Sequence, residues 1–173
     1  FLLGSKNFAT ALQGKTIFAL GNSMTRFGTT ASGTTSATGE KTYPYYLSTS
    51  DYLGVPIINA GVGGDNTNHA MARFKTDVLD KNPDVTIICL GMNDQAMVIS
   101  NGNPNISLAT YKSNLDYFAK QLKESGSDVV FVTPSKVNTN SGYYVPGAYG
   151  LDYGSELMDD FCNAIREVAM DND

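Results

Sequence analysis

Four short apolar runs, spaced along the chain and separated by helical patterns, constrain this sequence more than any other feature. They are Thr16-Ile-Phe-Ala-Leu20, Val55-Pro-Ile-Ile-Asn59, Val-Thr-Ile-Ile-Cys-Leu at 85–90, and Val129-Val-Phe-Val-Thr133. Each is strand length and apolar on successive residues, the pattern of a strand covered on both faces. Between and after them the period changes to that of a helix. Tyr43–Leu53 has a helical pattern, with Pro44 in its first turn. Over 66–79, Ala70, Phe74 and Val78 recur every four residues. Leu108, Tyr111, Leu115, Phe118 and Leu122 form a stripe, with Ser107 as its N-cap and Gly126 as its stop. Leu157, Phe161, Ile165 and Val168 mark a final helix. Strands alternating with helices predict a parallel sheet with helices on both faces.

The length of 173 residues suits one domain, read here as 15–173 behind an N-terminal extension at 1–14. With 42% hydrophobic and 17% charged residues the chain is globular in composition, which argues against disorder. A formal charge of −5 without a basic cluster argues against a nucleic-acid partner. No apolar run approaches the roughly 20 residues of a membrane helix, which argues against a membrane-spanning role. Cys89 and Cys162 cannot build a disulfide framework, have no zinc-site spacing, and read as buried free thiols. Low charge with much Gly, Ser, Thr, Asn and Tyr leans toward an extracellular or particle-surface setting. The chain opens on Phe1 and closes on Asp171-Asn172-Asp173 directly after a helical pattern, so it is expected to be part of something longer.

Function in parallel α/β sheets gathers at the carboxyl ends of the strands. Three of the four runs end there in small polar residues: Gly21-Asn22-Ser23, Gly61-Val-Gly-Gly64-Asp65 and Gly91-Met-Asn93-Asp94. Ser23 is either the cap of a short helix or a hydroxyl offered at an exposed edge beside backbone amides. Gly63 and Gly64 serve either a tight turn that needs positive φ or amides presented to a developing oxyanion. Asn93 is either a turn residue or an amide donor. Asp65 and Asp94 read as carboxylates that anchor turn and loop. The Gly61 turn lacks the spacing of a dinucleotide fingerprint.

Together these three blocks, in this order and each at a strand end, resemble the first three sequence blocks of the SGNH/GDSL hydrolases. The resemblance runs from Lys15 to about Met170. It implies a flavodoxin-like three-layer α/β/α sandwich with sheet order 2-1-3-4-5. It also implies a serine esterase without metal or cofactor, with Ser23 as nucleophile and the Ser23 amide, Gly64 amide and Asn93 side chain as oxyanion donors. Asn22, Asp65 and Asp94 would support them. The substrate expected is an acetylated glycan or another small ester; lipase or lysophospholipase activity and a non-catalytic glycan-binding domain are the alternatives.

The sequence departs from the family pattern twice. Asn22 stands where the first block usually has aspartate, keeping a carbonyl acceptor but losing the charge. The Asp-x-x-His block that supplies the base and its orienting carboxylate is absent, and so is the fifth strand before it. The expectation is that both lie in a C-terminal segment outside this chain, within about 20–40 further residues, or in a cleaved piece that remains docked. The single histidine, His69, shares a polar stripe with Arg73 and Asp80 and is expected in solvent, away from Ser23. Tyr143, Tyr144, Tyr149 and Tyr153, in a Tyr/Gly/Asn-rich loop at 136–154, are candidates to stack on a sugar or to line an acyl pocket.

Overall fold

A computed structural model describes residues 10–26, 41–137, 147, 150–154 and 156–173. The four apolar runs become β1 (Ile17–Gly21), β2 (Ile57–Gly61), β3 (Val85–Cys89) and, at the far edge, β6 (Asp128–Phe131). They form one parallel sheet in the order β2-β1-β3-β6, the 2-1-3-4 order expected of the sequence. Its helices are α1 (Ser23–Arg26), α2 (Tyr43–Ser48), α3 (Thr67–Asp77), α4 (Met92–Gln95), α5 (Leu108–Glu124) and α6 (Met158–Asp171). A small antiparallel sheet adds β4 (Met97–Val98), β5 (Asn103–Pro104) and β7 (Leu151–Asp152), in the order β5-β4-β7.

Alternation along the strands divides the core into two layers. Phe18, Leu20 and Ile88 face α3, α5 and α6, where Phe74, Tyr111, Leu115, Phe118, Phe161 and Ile165 are packed and buried. Ile17, Ala19, Val85 and Ile87 face the other way, against Leu47 and Tyr43 of α2, Leu53, and Leu12 from the N-terminal segment. Cys89 and Cys162 are buried free thiols, as expected.

The structure differs from the sequence reading in element boundaries and in one small sheet. The helix expected over 43–53 stops at Ser48. Thr49 turns extended, and the Leu53 and Gly54 amides bond back to Leu47 and Thr49 carbonyls, closing a compact turn. Leu53 nevertheless stays on the core, so the apolar spacing outlasts the helix. β2 runs two residues later than expected because Pro56 cannot donate to a ladder. β4, β5 and β7 are two residues each, too short to carry a readable period.

Candidate functional site

Equal register across β2, β1 and β3 brings Gly61, Gly21 and Cys89 into line, so the chains that leave them share one edge of the sheet. At the end of β1, Asn22 is the cap: its Oδ1 accepts from the Met24 amide at 2.9 Å, and its carbonyl accepts from Thr25 and Arg26. Ser23 is therefore the first residue of α1 and not its cap. It is half-buried, and among the described residues its hydroxyl makes no hydrogen bond. Two glycines let α1 lie flat on the strand ends. A Cβ on Gly61 would stand 2.6 Å from the Arg26 nitrogen, and one on Gly21 would stand 2.8 Å from the Thr25 Cβ.

At the end of β2 the chain turns through 62–65. The Val62 amide donates to the Gly21 carbonyl at 3.0 Å, tying this turn to the residue before Asn22. Gly64 is exposed at φ +83°, and nothing lies within 4 Å of where its Cβ would be. Its glycine answers to backbone conformation and leaves open space at the turn. Asp65 is buried and accepts from Arg73 Nε at 2.7 Å. Asn66 caps α3 by accepting from the His69 amide.

At the end of β3, Asn93 is buried in α4. Its Nδ2 donates to the Asp65 carbonyl at 2.7 Å, and its own carbonyl accepts from Asn105 Nδ2 at 2.9 Å. One amide hydrogen thus fixes the Gly64 turn and the second is left for another acceptor. The fully buried Asp94 carboxylate accepts from the Thr67 amide at 2.8 Å and the Thr67 hydroxyl at 2.6 Å. Its Oδ2 has no partner, and burial raises its pKa to about 6. Asn114 of α5 extends the network, donating to the Thr67 hydroxyl at 3.0 Å.

The structure thus gathers Ser23, Gly64 and Asn93 on one edge and joins two of their turns directly. Next to Ser23 a cleft of about 480 Å³ is lined by its neighbours Asn22 and Met24, by Tyr43, Cys89 and Met92, and by Thr133–Ser135 beyond β6; Ser23, Gly64 and Asn93 themselves do not line it. Tyr153 reaches this edge too, its carbonyl accepting from Gln95 Nε2 at 3.2 Å. Tyr143, Tyr144 and Tyr149, like residues 28–40, lie outside the described residues. His69 is exposed on α3, as expected.

Arg73 corrects the sequence reading. It was expected on the same solvated stripe as His69, yet its side chain is only 17% exposed and makes four hydrogen bonds. The helical period placed it off the α3 core face; it could not foresee that a guanidinium there reaches the strand ends. Among the described residues, no group of three or more His, Cys, Asp or Glu side chains is arranged to hold a metal ion. No helix among them is long and apolar enough to cross a membrane.

The sequence matches the GDSL-like Lipase/Acylhydrolase family over residues 19–173, and the chain belongs to that family. It is 37% identical to the uncharacterized lipoprotein YqeF of Bacillus subtilis over 87 residues, half of this chain and 35% of that protein. It is 24% identical to an acetylxylan esterase of Geobacillus stearothermophilus over 120 residues, 68% of this chain and 51% of that protein. The matched regions thus span about half or less of these two relatives. The crystal structure of Axe2, an acetylxylan esterase from Geobacillus stearothermophilus, superposes with a TM-score of 0.71 at 21% identity, covering 92% of this chain and 73% of Axe2. A putative GDSL-like lipase from Parabacteroides merdae gives 0.68 at 20% identity, covering 91% and 74%.

Proposed function

We propose that this chain carries the nucleophile and oxyanion donors of a serine esterase that removes acetyl groups from carbohydrate. The observation that carries the reading is the Asn93 carboxamide, buried and pinned to the Gly64 turn with one hydrogen to spare, on the strand edge that also presents an unengaged Ser23 hydroxyl. Ser23 Oγ attacks the ester carbonyl and its proton passes to a base. The carbonyl oxygen gains the negative charge and accepts hydrogen bonds from the Ser23 amide, the Gly64 amide and Asn93 Nδ2. Collapse breaks the bond to the sugar oxygen, which leaves as a hydroxyl by taking the proton back from the base. Water, giving a proton to the base, then attacks the acetyl-Ser23 carbonyl; Ser23 Oγ leaves, takes that proton back, and acetate is released. Loss of the Asn93 donor is expected to cost about 3–4 kcal/mol of transition-state stabilisation.

The base is assigned to a segment outside these 173 residues. A base must come within hydrogen-bonding reach of the serine hydroxyl, about 3 Å, and the single histidine, His69, makes no hydrogen bond to Ser23. The Asp-x-x-His block of the family would supply it. The acetylated-glycan substrate takes its support from the acetylxylan esterases among the relatives, and a cell-surface or extracellular setting from the relative described as a lipoprotein.

The cleft beside Ser23 favours a second reading, an esterase of longer acyl chains, because Met24, Met92, Val132 and Pro134 make much of its wall apolar. The test is a comparison, in the protein that includes the Asp-x-x-His segment, of acetate release from acetylated xylo-oligosaccharides with hydrolysis of p-nitrophenyl esters from acetate to decanoate. The carbohydrate reading predicts acetate release and a steep fall in rate beyond acetate or propionate. A maximum at eight or ten carbons transfers the assignment to the lipase type, and inertness on both series to a glycan-binding domain.

A further inference from the structure

Resting on the serine-esterase reading, we infer that Arg73 is a positioning residue that sets the height and angle of the Gly64 turn against Ser23. Arg73 projects from the middle of α3, yet its guanidinium ends on the backbone of two strands. Nη1 donates to the Ala60 carbonyl at 2.8 Å and Nη2 to the Gly21 carbonyl at 3.2 Å. Nε donates to Asp65 Oδ2 at 2.7 Å, and Nη1 reaches Asp77 Oδ2 at 3.1 Å. Gly21 stands two residues before Ser23, and Asp65 stands one residue after Gly64. A single planar cation therefore holds the strand end that leads to the nucleophile and the turn that presents an oxyanion amide.

The geometry explains why this residue is arginine. The Gly21 carbonyl, which also accepts from the Val62 amide, and the Ala60 carbonyl carry partial negative charge at the edge where a developing oxyanion must be stabilised. A guanidinium satisfies two of them and the Asp65 carboxylate together, because its donors fan out in one plane. A lysine has one nitrogen on a flexible stem and cannot span Ala60, Gly21 and Asp65 at once. The Asp65–Arg73 pair is largely sheltered, with side chains 9% and 17% exposed. It works alongside Asn93, which grips the same residue from the other side through the Asp65 carbonyl. The Gly64 turn is thus held between a side chain from β3's end and one from α3. Displacement of such a donor by about 1 Å is enough to cost on the order of 10²-fold in rate.

The test compares wild type with Arg73→Lys and with Asp65→Asn, which keeps the guanidinium but weakens its hold on the turn. Two readouts are taken: ¹⁵N relaxation of the 173-residue chain, and esterase kinetics in the protein that includes the Asp-x-x-His segment. In wild type the Gly63 and Gly64 amides should have order parameters near the rigid value of about 0.85. In Arg73→Lys they should fall toward about 0.6 while amides of β3 and α5 keep theirs, and kcat should drop about 100-fold with KM within threefold. Asp65→Asn should move both readouts in the same direction by a smaller amount. Unchanged order parameters at Gly63 and Gly64 in a folded Arg73→Lys protein would overturn the proposal, as would a uniform loosening of the whole sheet or a rise in KM alone. If wild type has no turnover that depends on Ser23, the esterase reading fails, and the amide relaxation still decides whether Arg73 holds the turn.

Discussion

Asp94 is the residue whose burial has the clearest energetic consequence. It takes no solvent, gives one oxygen to Thr67 and leaves the other without a partner. Burial holds its carboxyl protonated up to about pH 6 in the folded state, against 3.8 for an ordinary aspartate. Folding therefore takes up a proton between those values. The stabilisation is fully present below about pH 4 and is lost as pH rises through 6. Asp94→Asn removes this dependence, so the variant's stability relative to wild type should rise by roughly 1–3 kcal/mol from pH 4 to pH 7, read by urea unfolding at each pH. Parallel curves for the two proteins would show that burial does not raise the Asp94 pKa into this range. The sequence placed Asp94 as an anchor at a strand end, and that much is legible from Gly91-Met-Asn93-Asp94 alone. Its partner Thr67 is 27 residues away, and only the sheet's register brings the two together. The same holds for Arg73, whose four acceptors lie between 4 and 52 residues distant.

At the level of elements, α1 owes its place to missing side chains. The Gly61→Ala methyl would meet backbone, the Arg26 nitrogen at 2.6 Å, and cannot be relieved by a rotamer change. Gly61→Ala should therefore cost about 1–3 kcal/mol in unfolding free energy and lift Ser23 away from the edge. A stability loss below about 0.5 kcal/mol would mean that α1 is not seated as described. The four main strands and the long helices were legible because packing selects the same periods the sequence displays. α5 keeps its expected cap, with Ser107 Oγ accepting from the Thr110 amide at 3.1 Å. β6 has a neighbour on one side only among the described residues. Val130 pairs in register with Ile87 on the face covered by α2 and the N-terminal segment, and is 44% exposed. Val130→Thr should change the stability of the 173-residue chain by less than about 0.5 kcal/mol. If a further strand and helix cover this face in the longer protein, the same change there should cost roughly 1–3 kcal/mol. Equal effects in both would mean that nothing covers it.

Across the whole molecule the layers are unequal. Three helices and most of the large aromatic side chains lie on one face of the sheet, and one short helix with the N-terminal segment lies on the other. The carboxyl edge reflects the same division: it is rigidly built where α3, α4 and α5 meet it, through Asp65, Arg73, Asn93, Asp94 and Asn114, and open beside Ser23. The order of polar blocks at strand ends conveyed the family and the sheet order, because both follow from local sequence and the handedness of crossovers. The network behind the blocks was not legible, since it depends on which distant side chains the packed layers bring within 3 Å. With Ser23 as an acyl-accepting nucleophile and its base outside these residues, turnover should need both parts of the protein. The most direct test is the rate of p-nitrophenyl acetate hydrolysis by the 173-residue chain, by the protein that includes the Asp-x-x-His segment, and by the Ser23→Ala form of each. Full turnover is expected only in the longer protein, with a loss of at least about 10³-fold on Ser23→Ala, while the shorter chain should retain a rate lower by about 10²–10⁴ for want of a general base. Full turnover by the 173-residue chain, or survival of the longer protein's activity in Ser23→Ala, would contradict this assignment.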